Sequence, residues 1–356
     1  MSSNFAYRYV SLTPEHTAVT GVRTYGTRSA TAAAKLYGEV DDESFSHMFD
    51  LLTRSDMSRY GAAKSLNGKE YSEGGVNLVA QADDFCGYLL YAAFGDNAAA
   101  NSSAYVVSSN THTWNEAKDH ILPSFSIEVG REDKEHTYTG MCLSRLSISG
   151  TVGEYATLSA DFNGKAESAT GALAPSPTFT GASSDGFHFA DGQILFSLDG
   201  AAGNTASAVI KSISFELNTN LNTDDACSIG SQTYSRQPEP QMREITGSVE
   251  FSRPVITADT TTDNPSYDQL IASDGLLYDG DAAEPAIQLK FTNSGSGIIL
   301  FNVHKCRWEA PTLNVSGRDS STMSLNFVAL VDTTSNIMSS ASITTDASTI
   351  GRYSTK

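Results

Sequence analysis

The clearest hydrophobic pattern of the chain lies between residues 122 and 165, where apolar and polar side chains alternate along three successive segments. The first segment places apolar residues on one face and polar residues on the other: Phe125, Ile127 and Val129 against Ser124, Ser126 and Glu128. A charged turn, a second segment up to Ile148 and a third that ends at Phe162 follow. Because a period of two residues is typical of half-buried strands, the sequence predicts three consecutive β-strands here.

Further strands and two short helices are predicted on both sides of this region. The strands cover residues 35–40, 76–81, 193–198, 210–217, 244–251, 286–291, 298–308 and 323–331. Residues 44–52 fit either a strand or a helix by periodicity alone. Apolar residues at helical spacing predict a helix over 85–94, with Asp83 or Asp84 as its N-terminal cap, and Asn264-Pro-Ser precedes a second short helix over 267–272.

The order of these elements repeats along the chain, which predicts an internal duplication. Strand, long polar loop, strand, short helix, strand, hairpin and strand occur once on each side of residues 166–186, an Ala-, Ser-, Gly- and Pro-rich segment without an apolar face. We therefore expect a mainly β fold of tandem β-sandwich or half-barrel domains, each flanked by one short α-helix. The predicted organisation is a first domain over 1–165, a linker over 166–186, a second domain over 187–332 and a Ser/Thr-rich tail over 333–356.

Composition limits the possible partners of the chain. Its 356 residues include 41 acids and 23 bases, a formal net charge of −18, and 40% are hydrophobic. Affinity for nucleic acid comes mainly from Lys and Arg, so the chain is not expected to hold DNA. No signal peptide or membrane span is evident, and Cys86, Cys142, Cys227 and Cys306 are isolated, which favours synthesis in a reducing cytosol without export.

Signatures of catalysis are weak. The sequence has no nucleophile elbow, phosphate-binding loop or dinucleotide fingerprint. His112, His120 and His136 lack metal-ligand spacing, and adjacent acids such as Asp83 and Asp84 are more often caps or solvated turns than calcium ligands. We therefore expect no enzymatic activity, no cofactor and no metal site.

Four short sequences in the central region carry a family resemblance: Pro123-Ser-Phe-Ser-Ile-Glu128, Tyr138-Thr-Gly140, Leu143-Ser-Arg-Leu-Ser-Ile-Ser149 and Ala156-Thr-Leu-Ser-Ala-Asp-Phe162. Together they resemble the major tail tube proteins of long-tailed, siphovirus-like bacteriophages and archaeal tailed viruses, here in a two-domain form. Residues 215–221 and 243–251 resemble the same family.

The resemblance implies a structural virion protein that self-assembles into stacked rings. These rings would form the tail tube through which viral DNA is ejected without specific binding. It also implies assembly in the host cytoplasm, a final place in the virion tail, and contacts with tape measure, tail terminator and distal tail proteins but with no membrane. The alternative from the residues alone is a β-sandwich binding module, such as a virion decoration protein or a surface adhesin.

Ring size follows from the duplication. Single-domain relatives form hexameric rings, as the resemblance implies, so a duplicated chain can fill the same ring with three copies. We therefore expect a homotrimer with pseudo-sixfold symmetry, with a true hexamer as the alternative.

Two groups of candidate functional residues follow. The long polar segments 53–75 and 218–243 are expected, with the N-terminal arm and the C-terminal tail, to contact the neighbouring ring. Their candidate residues are Arg59, Lys64, Glu70, Arg236, Glu239 and Arg243. A channel that lets DNA pass should be poor in cations, so the acids on polar strand faces are expected to line it. These lumen candidates are Glu128, Asp161, Glu216 and Glu250.

Overall fold

The architecture is that of a mainly β protein with one α-helix in the part of the chain that the computed structural model describes. The described residues are 8–15, 25–28, 35–55, 57–58, 60–62, 64–97, 111–116, 122–174, 177, 179, 185–197, 204–205, 209–252, 286–294, 297–315, 321–332 and 337–344. The mainly β fold class is therefore confirmed. The second predicted helix, 267–272, lies outside the described residues.

The strands alternate with short turns along both halves of the chain. The first half contains β1 (Tyr9–Pro14), β2 (Leu36–Gly38), β3 (Asp42–Glu43), β4 (Ser46–Arg54), β5 (Lys64–Val79), β6 (Gly95–Asn97), β7 (Thr111–Glu116), β8 (Phe125–Arg131), β9 (Lys134–Thr151), β10 (Thr157–Gly164) and β11 (Ala166–Ala172). The second half contains β12 (Gly192–Ser197), β13 (Asn204–Thr205), β14 (Val209–Asn218), β15 (Leu221–Asn222), β16 (Glu239–Pro240), β17 (Glu244–Ser252), β18 (Ala286–Thr292), β19 (Ile298–Val303), β20 (Cys306–Trp308), β21 (Thr312–Asn314), β22 (Thr322–Ala329) and β23 (Ser339–Thr344).

Two large antiparallel sheets contain most of these strands. In the first sheet, a row of neighbours runs β4-β5-β10-β9-β14-β17-β22-β20, and β21 also pairs with β22. The beginning of the long strand β9 leaves this row and pairs with β8 and β11, and β8 pairs with β1. The second sheet has the order β13-β12-β18-β19-β23-β7-β6.

The pairing pattern of the first half recurs in the second half. The series β1-β8-β9-β11 is matched by β12-β18-β19-β23, and β5-β10-β9 is matched by β17-β22-β20. The registers also correspond. Phe162 of β10 lies opposite Leu143 of β9, and Phe327 of β22, the counterpart of β10, lies opposite Trp308 of β20. The two halves therefore share one topology despite their different sequences.

The halves are nevertheless joined more closely than composition suggested. Strand β9 pairs with β14, β7 pairs with β23, and one buried cluster contains apolar residues of both halves. The expected linker 166–186 begins as strand β11, which pairs with the first part of β9. Its Ala, Ser, Thr and Gly side chains show no apolar periodicity, so composition alone suggested a linker.

The described helix, α1 (Asp84–Phe94), matches its prediction closely. The Asp83 side chain caps it by accepting a hydrogen bond of 2.8 Å from the backbone N–H of Cys86, and Gly95 ends it with a left-handed φ of 75°. The helix is apolar on all sides and almost fully buried, and it packs against β9, β7, β2 and β23. It therefore belongs to the core beneath the sheets.

The prediction of a loop over residues 53–75 is wrong for most of this segment. Residues 46–54 and 64–79 form a long hairpin, which we call the β4–β5 hairpin, and the ambiguous segment 44–52 is mainly strand β4. Much of the hairpin is exposed, so its side chains show no simple alternation of apolar and polar residues. The other long segment, 218–243, is largely irregular, with the short pair β15–β16 inside it.

Candidate functional site

One continuous polar face extends across the large sheet from the first half into the second. Directly paired residues of antiparallel strands lie on the same face, so the registers define it. One row across β10, β9, β14 and β17 contains Ser159, Ser147, Glu216 and Thr246, and the next contains Thr157, Ser149, Ser214 and Ser248. The alternate residues of the same strands, such as Leu158, Ile148 and Phe215, are buried in the core.

Carboxylates outnumber cations on this polar face. The acids that register places there include Asp42, Glu73, Asp161, Glu216, Glu244 and Glu250, and Asp50 of β4 lies on the same face. The bases include Arg145 and Arg307 on the body of the sheet and the pair Arg54 and Lys64 on the β4–β5 hairpin. The face therefore carries a negative balance, like the chain as a whole.

Arg145 is held between two carboxylates. Its Nη2 lies 2.8 Å from Glu216 Oε2, and its Nη1 lies 3.8 Å from Asp161 Oδ2. The hydrogen bond to Glu216 raises the pKa of Arg145. Partial burial raises the pKa of Asp161, whereas the charge of Arg145 lowers it. The guanidinium is thus neutralised by side chains of its own sheet.

The middle of the face is a shallow depression of about 510 Å³ lined mainly by small polar side chains of β9, β14, β17 and β22. Neighbouring hydroxyls satisfy one another: the oxygens of Ser149 and Thr157 are 2.8 Å apart, and those of Ser214 and Ser248 are also 2.8 Å apart. Such a surface has few free groups that could hold a ligand strongly.

Three of the four predicted lumen residues lie on this polar face. Asp161 and Glu216 flank Arg145, and Glu250 lies opposite Ser212, whose hydroxyl is 3.5 Å from a carboxylate oxygen of Glu250. The structure thus brings residues of β10, β14 and β17 onto one surface. Their exposure to a channel stays a prediction.

The prediction that the fourth candidate, Glu128, lines the lumen is wrong. Its side chain is fully buried at 0% exposure and forms ion pairs with Arg28 and Lys35. Burial disfavours the charged form of Lys35, but the hydrogen bond and charge of Glu128 raise the Lys35 pKa overall. Strand β8 is covered on both faces. The ion-pair partners of Glu128 lie about a hundred residues earlier in the chain, in a region without periodicity. The alternation of residues within β8 therefore could not show that Glu128 is covered.

The rest of the polar side of β8 is a buried network around Glu15, which the sequence did not single out. Glu15 accepts hydrogen bonds from the hydroxyls of Ser124 and Ser126 and from the backbone N–H groups of Gly26 and Gly140, at 2.7–2.9 Å. Burial raises the pKa of Glu15, and these hydrogen bonds lower it. The network ties the N-terminal segment to β8 and β9, so these serines serve the fold.

The two predicted stacking segments contact each other within the chain. The backbone N–H of Glu70 donates a hydrogen bond of 2.8 Å to the carbonyl of Gln232, and the rings of Tyr71 and Tyr234 stack with centroids 6.4 Å apart. Lys69 Nζ lies 3.5 Å from a carboxylate oxygen of Asp224. The base of the hairpin and the segment 218–243 therefore form one surface.

The stacking candidates differ in their surroundings. Lys64 is exposed at the start of β5, and Arg236 and Glu239 are exposed and 3.9 Å apart. Glu70 is half-buried beside Asn67 and His47, whereas Arg243 is buried and therefore unavailable at the surface of the single chain. Arg59 lies outside the described residues.

The β4–β5 hairpin has an apolar surface that was not predicted from the sequence. Phe49, Leu51, Leu52 and Leu66 expose 54%, 60%, 60% and 72% of their surface. Met48, Met57 and Tyr60 are exposed as well. In the sequence these residues look like core positions, because apolar side chains in a strand normally face the core. A concentration of exposed apolar residues indicates a protein contact.

Other chemistry is limited in the part of the chain that the structure covers. Within the described ranges, no group of three or more His, Cys, Asp and Glu side chains is placed to hold a metal ion, and all four cysteines are free thiols. Burial lowers the pKa of His112 to about 4, and its ring stacks on Trp114. None of the helices described there is long and apolar enough to span a membrane.

The extended polar sheet face and the exposed apolar hairpin are surface features of a mainly β protein, and the hairpin indicates a contact with another protein. A family model described as phage tail tube protein matches residues 17–329. The chain therefore belongs to the phage tail tube protein family, and its role is that of a structural component of a virion tail. Comparison with curated proteins gives no match.

Proposed function

We propose that this chain assembles into stacked rings that form the tail tube of a long-tailed virus, of the siphovirus-like or archaeal type, through which viral DNA is ejected. The observation that carries the proposal is the polar sheet face, which runs without interruption from the first half of the chain to the second. Family membership favours this function over a decoration protein or an adhesin.

In this proposal, the polar face lines the channel. DNA binds where cations displace its counterions, so a wall of hydroxyls and carboxylates lets it pass. Asp161 and Glu216 neutralise Arg145, which removes one cation that could hold a phosphate. Three copies carry a formal charge of 3 × −18 = −54, which also opposes retention of DNA.

The ring contains three copies in this account. The recurring pairing pattern supports two pseudo-equivalent units per chain, a first domain over 1–165 and a second over 187–332. Three copies then supply six units around one axis, and closure of the ring removes open sheet edges. The alternative is a ring of six complete chains.

Ring stacking is assigned to the β4–β5 hairpin and the segment 218–243, together with the N-terminal arm and the C-terminal tail. The first two elements already form one surface, and the hairpin exposes apolar side chains that a neighbouring ring can cover. Deletion of residues 56–72 is expected to give rings or monomers that do not polymerise, and normal tubes from that variant would contradict the assignment. Tape measure, tail terminator and distal tail proteins are the further partners in the virion.

Charge reversal on the polar face tests the proposed channel. Replacing Asp161 and Glu216 together with Lys should leave tubes intact, because both side chains are about half exposed, but should slow or block DNA ejection from assembled particles. Three cations would then lie together on the wall and bind phosphates. Ejection rates are measured by DNA release from purified particles.

In the matched control, Lys replaces Glu132 and Asp133, two exposed acids in the turn between β8 and β9. It makes the same change in net charge away from the polar face and should leave ejection unchanged. Normal ejection with both new lysines shown to face the channel would refute the electrostatic argument. Lysines found on the outside of the tube would refute the choice of face.

A further inference from the structure

The β4–β5 hairpin carries two pairs of directly opposed side chains on one of its faces. Leu52 lies opposite Leu66, and two residues closer to the turn Arg54 lies opposite Lys64, so all four side chains share a face. All four are exposed, and no carboxylate of the described residues forms an ion pair with either cation. Like charges directly opposite each other destabilise a strand pair. An apolar surface with acids beside it would match this leucine pair and this cation pair.

The chain has such a surface at the turn between β9 and β10, where the turn packs against the segment before β12. Tyr155 pairs with His188, and the backbone N–H of Phe189 donates a hydrogen bond of 3.1 Å to the carbonyl of Glu154. Tyr155 and Phe189 expose 59% and 47% of their surface, and Glu154 and Asp185 are exposed as well. We call these two aromatic and two acidic residues the aromatic end.

The charge of the aromatic end is negative. Within the described residues, neither Glu154 nor Asp185 has an ion-pair partner. The neighbouring His188 and Asp191 satisfy each other, with Nε2 of His188 3.6 Å from a carboxylate oxygen of Asp191. Val152 belongs to the same turn but lies on its β14 side, where its backbone N–H donates a hydrogen bond to β14, and it is not part of the aromatic end.

The hairpin and the aromatic end lie at opposite ends of the same strands. Thr157 begins β10 and pairs with Val79, and Gly164 ends β10 and pairs with Ser72. The hairpin continues beyond Ser72, whereas the β9–β10 turn precedes Thr157. The eight residues of β10 therefore separate the two surfaces by at least roughly 23 Å. They cannot meet within one chain, but they can meet between two chains that are stacked in the same orientation.

We propose that the hairpin of one copy docks on the aromatic end of a copy in the next ring. Its leucine pair packs against the two aromatic rings, and its cation pair lies beside the two acids. This contact rests on the proposed stacking of rings, and it gives the stack a direction. Rings stacked hairpin to hairpin would bring cation pairs together, which charge repulsion opposes. All rings therefore face the same way, an arrangement in which unlike surfaces meet.

An exchange of charges between the two surfaces tests the contact. The variant with Arg54→Glu and Lys64→Glu should need about tenfold or more protein to form tubes, because attractive contacts become repulsive ones. The variant with Glu154→Lys and Asp185→Lys should show the same defect. The chain with all four changes should form tubes at nearly the parental concentration, because the two signs are then exchanged. Two defective variants without rescue in the combined chain would overturn the inference.

The matched control combines the two hairpin changes with Glu132→Lys and Asp133→Lys in the turn between β8 and β9. It restores the net charge at another exposed turn and should not rescue assembly. Rescue by this control would show that net charge, rather than the contact, decides assembly. A hairpin variant that forms tubes at the parental concentration would also overturn the inference. Circular dichroism checks that every variant is folded.

Oxidative footprinting of the unmodified chain gives a readout that does not depend on any variant. Tyr155 and Phe189 should be oxidised by hydroxyl radicals in single chains and in separate rings, and they should be protected in tubes. Equal oxidation in rings and tubes would overturn the inference while leaving the tube function intact. Failure of the unmodified chain to form rings or tubes would instead overturn the proposed function.

Discussion

Replacing Glu128 with Ala is expected to lower the free energy of unfolding by about 3–5 kcal/mol, the usual cost of removing one partner of a buried ion pair. The Glu128 carboxylate is fully buried and lies against Lys35, whose side chain is only 15% exposed. Without it, Lys35 keeps Glu135 at 3.2 Å but loses its main counter-ion. Arg28 is more exposed, so its loss of pairing adds little. Urea titration of the unassembled chain measures the change.

The control for this prediction is Glu244→Ala. Glu244 is exposed at the start of β17, so its replacement should change the unfolding free energy by less than about 0.5 kcal/mol. Glu128→Lys would place a third cation beside Lys35 and Arg28 and is expected to prevent folding. A Glu128→Ala chain as stable as the parent would show that the buried ion pair does not hold the N-terminal segment on the sheet.

Replacing the exposed apolar residues of the β4–β5 hairpin with Ser should abolish tube formation while leaving the chain folded. The four positions are Phe49, Leu51, Leu52 and Leu66. More than half of each side chain is in solvent in the single chain, so its removal costs little stability. Full burial of one such side chain in a contact contributes about 1.5–3 kcal/mol, so loss of four weakens association by several orders of magnitude. Sedimentation and negative-stain microscopy measure assembly, and circular dichroism checks the fold.

In a matched control, Ser replaces Val152 and Val331, two exposed apolar residues away from the hairpin. It should assemble at the same protein concentration as the parent chain. Tubes of normal length from the four-serine variant would contradict the role of the hairpin. A four-serine chain that loses its fold would show that the hairpin supports the protomer and would remove the basis for assigning it to stacking.

Alternation in the sequence was sufficient to find the strands that have one buried and one solvated face. Strand β14 was predicted at 210–217 and occupies Val209–Asn218, and β17 was predicted at 244–251 and occupies Glu244–Ser252. The cap at Asp83 and the glycine after Phe94 likewise located α1. These signals are local, since each depends on a few neighbouring residues, and the same alternation placed Asp161, Glu216 and Glu250 on one face.

Features that depend on distant contacts were not accessible from the sequence. Glu128 alternates like a surface residue, but segments from the N-terminal region cover it, and nothing in β8 itself shows this. The hairpin has exposed apolar residues whose expected cover is another molecule, so no intramolecular pattern marks it. Apart from Glu167, strand β11 has only small side chains, and it is defined by its pairing with β9.

The most direct measurement is an averaged cross-section of assembled tubes by electron cryomicroscopy. We expect three chains per ring with pseudo-sixfold symmetry, and we expect Asp161, Arg145 and Glu216 to face the channel. Six chains per ring, or a channel wall formed by other surfaces while the polar sheet face lies outside, would contradict this expectation.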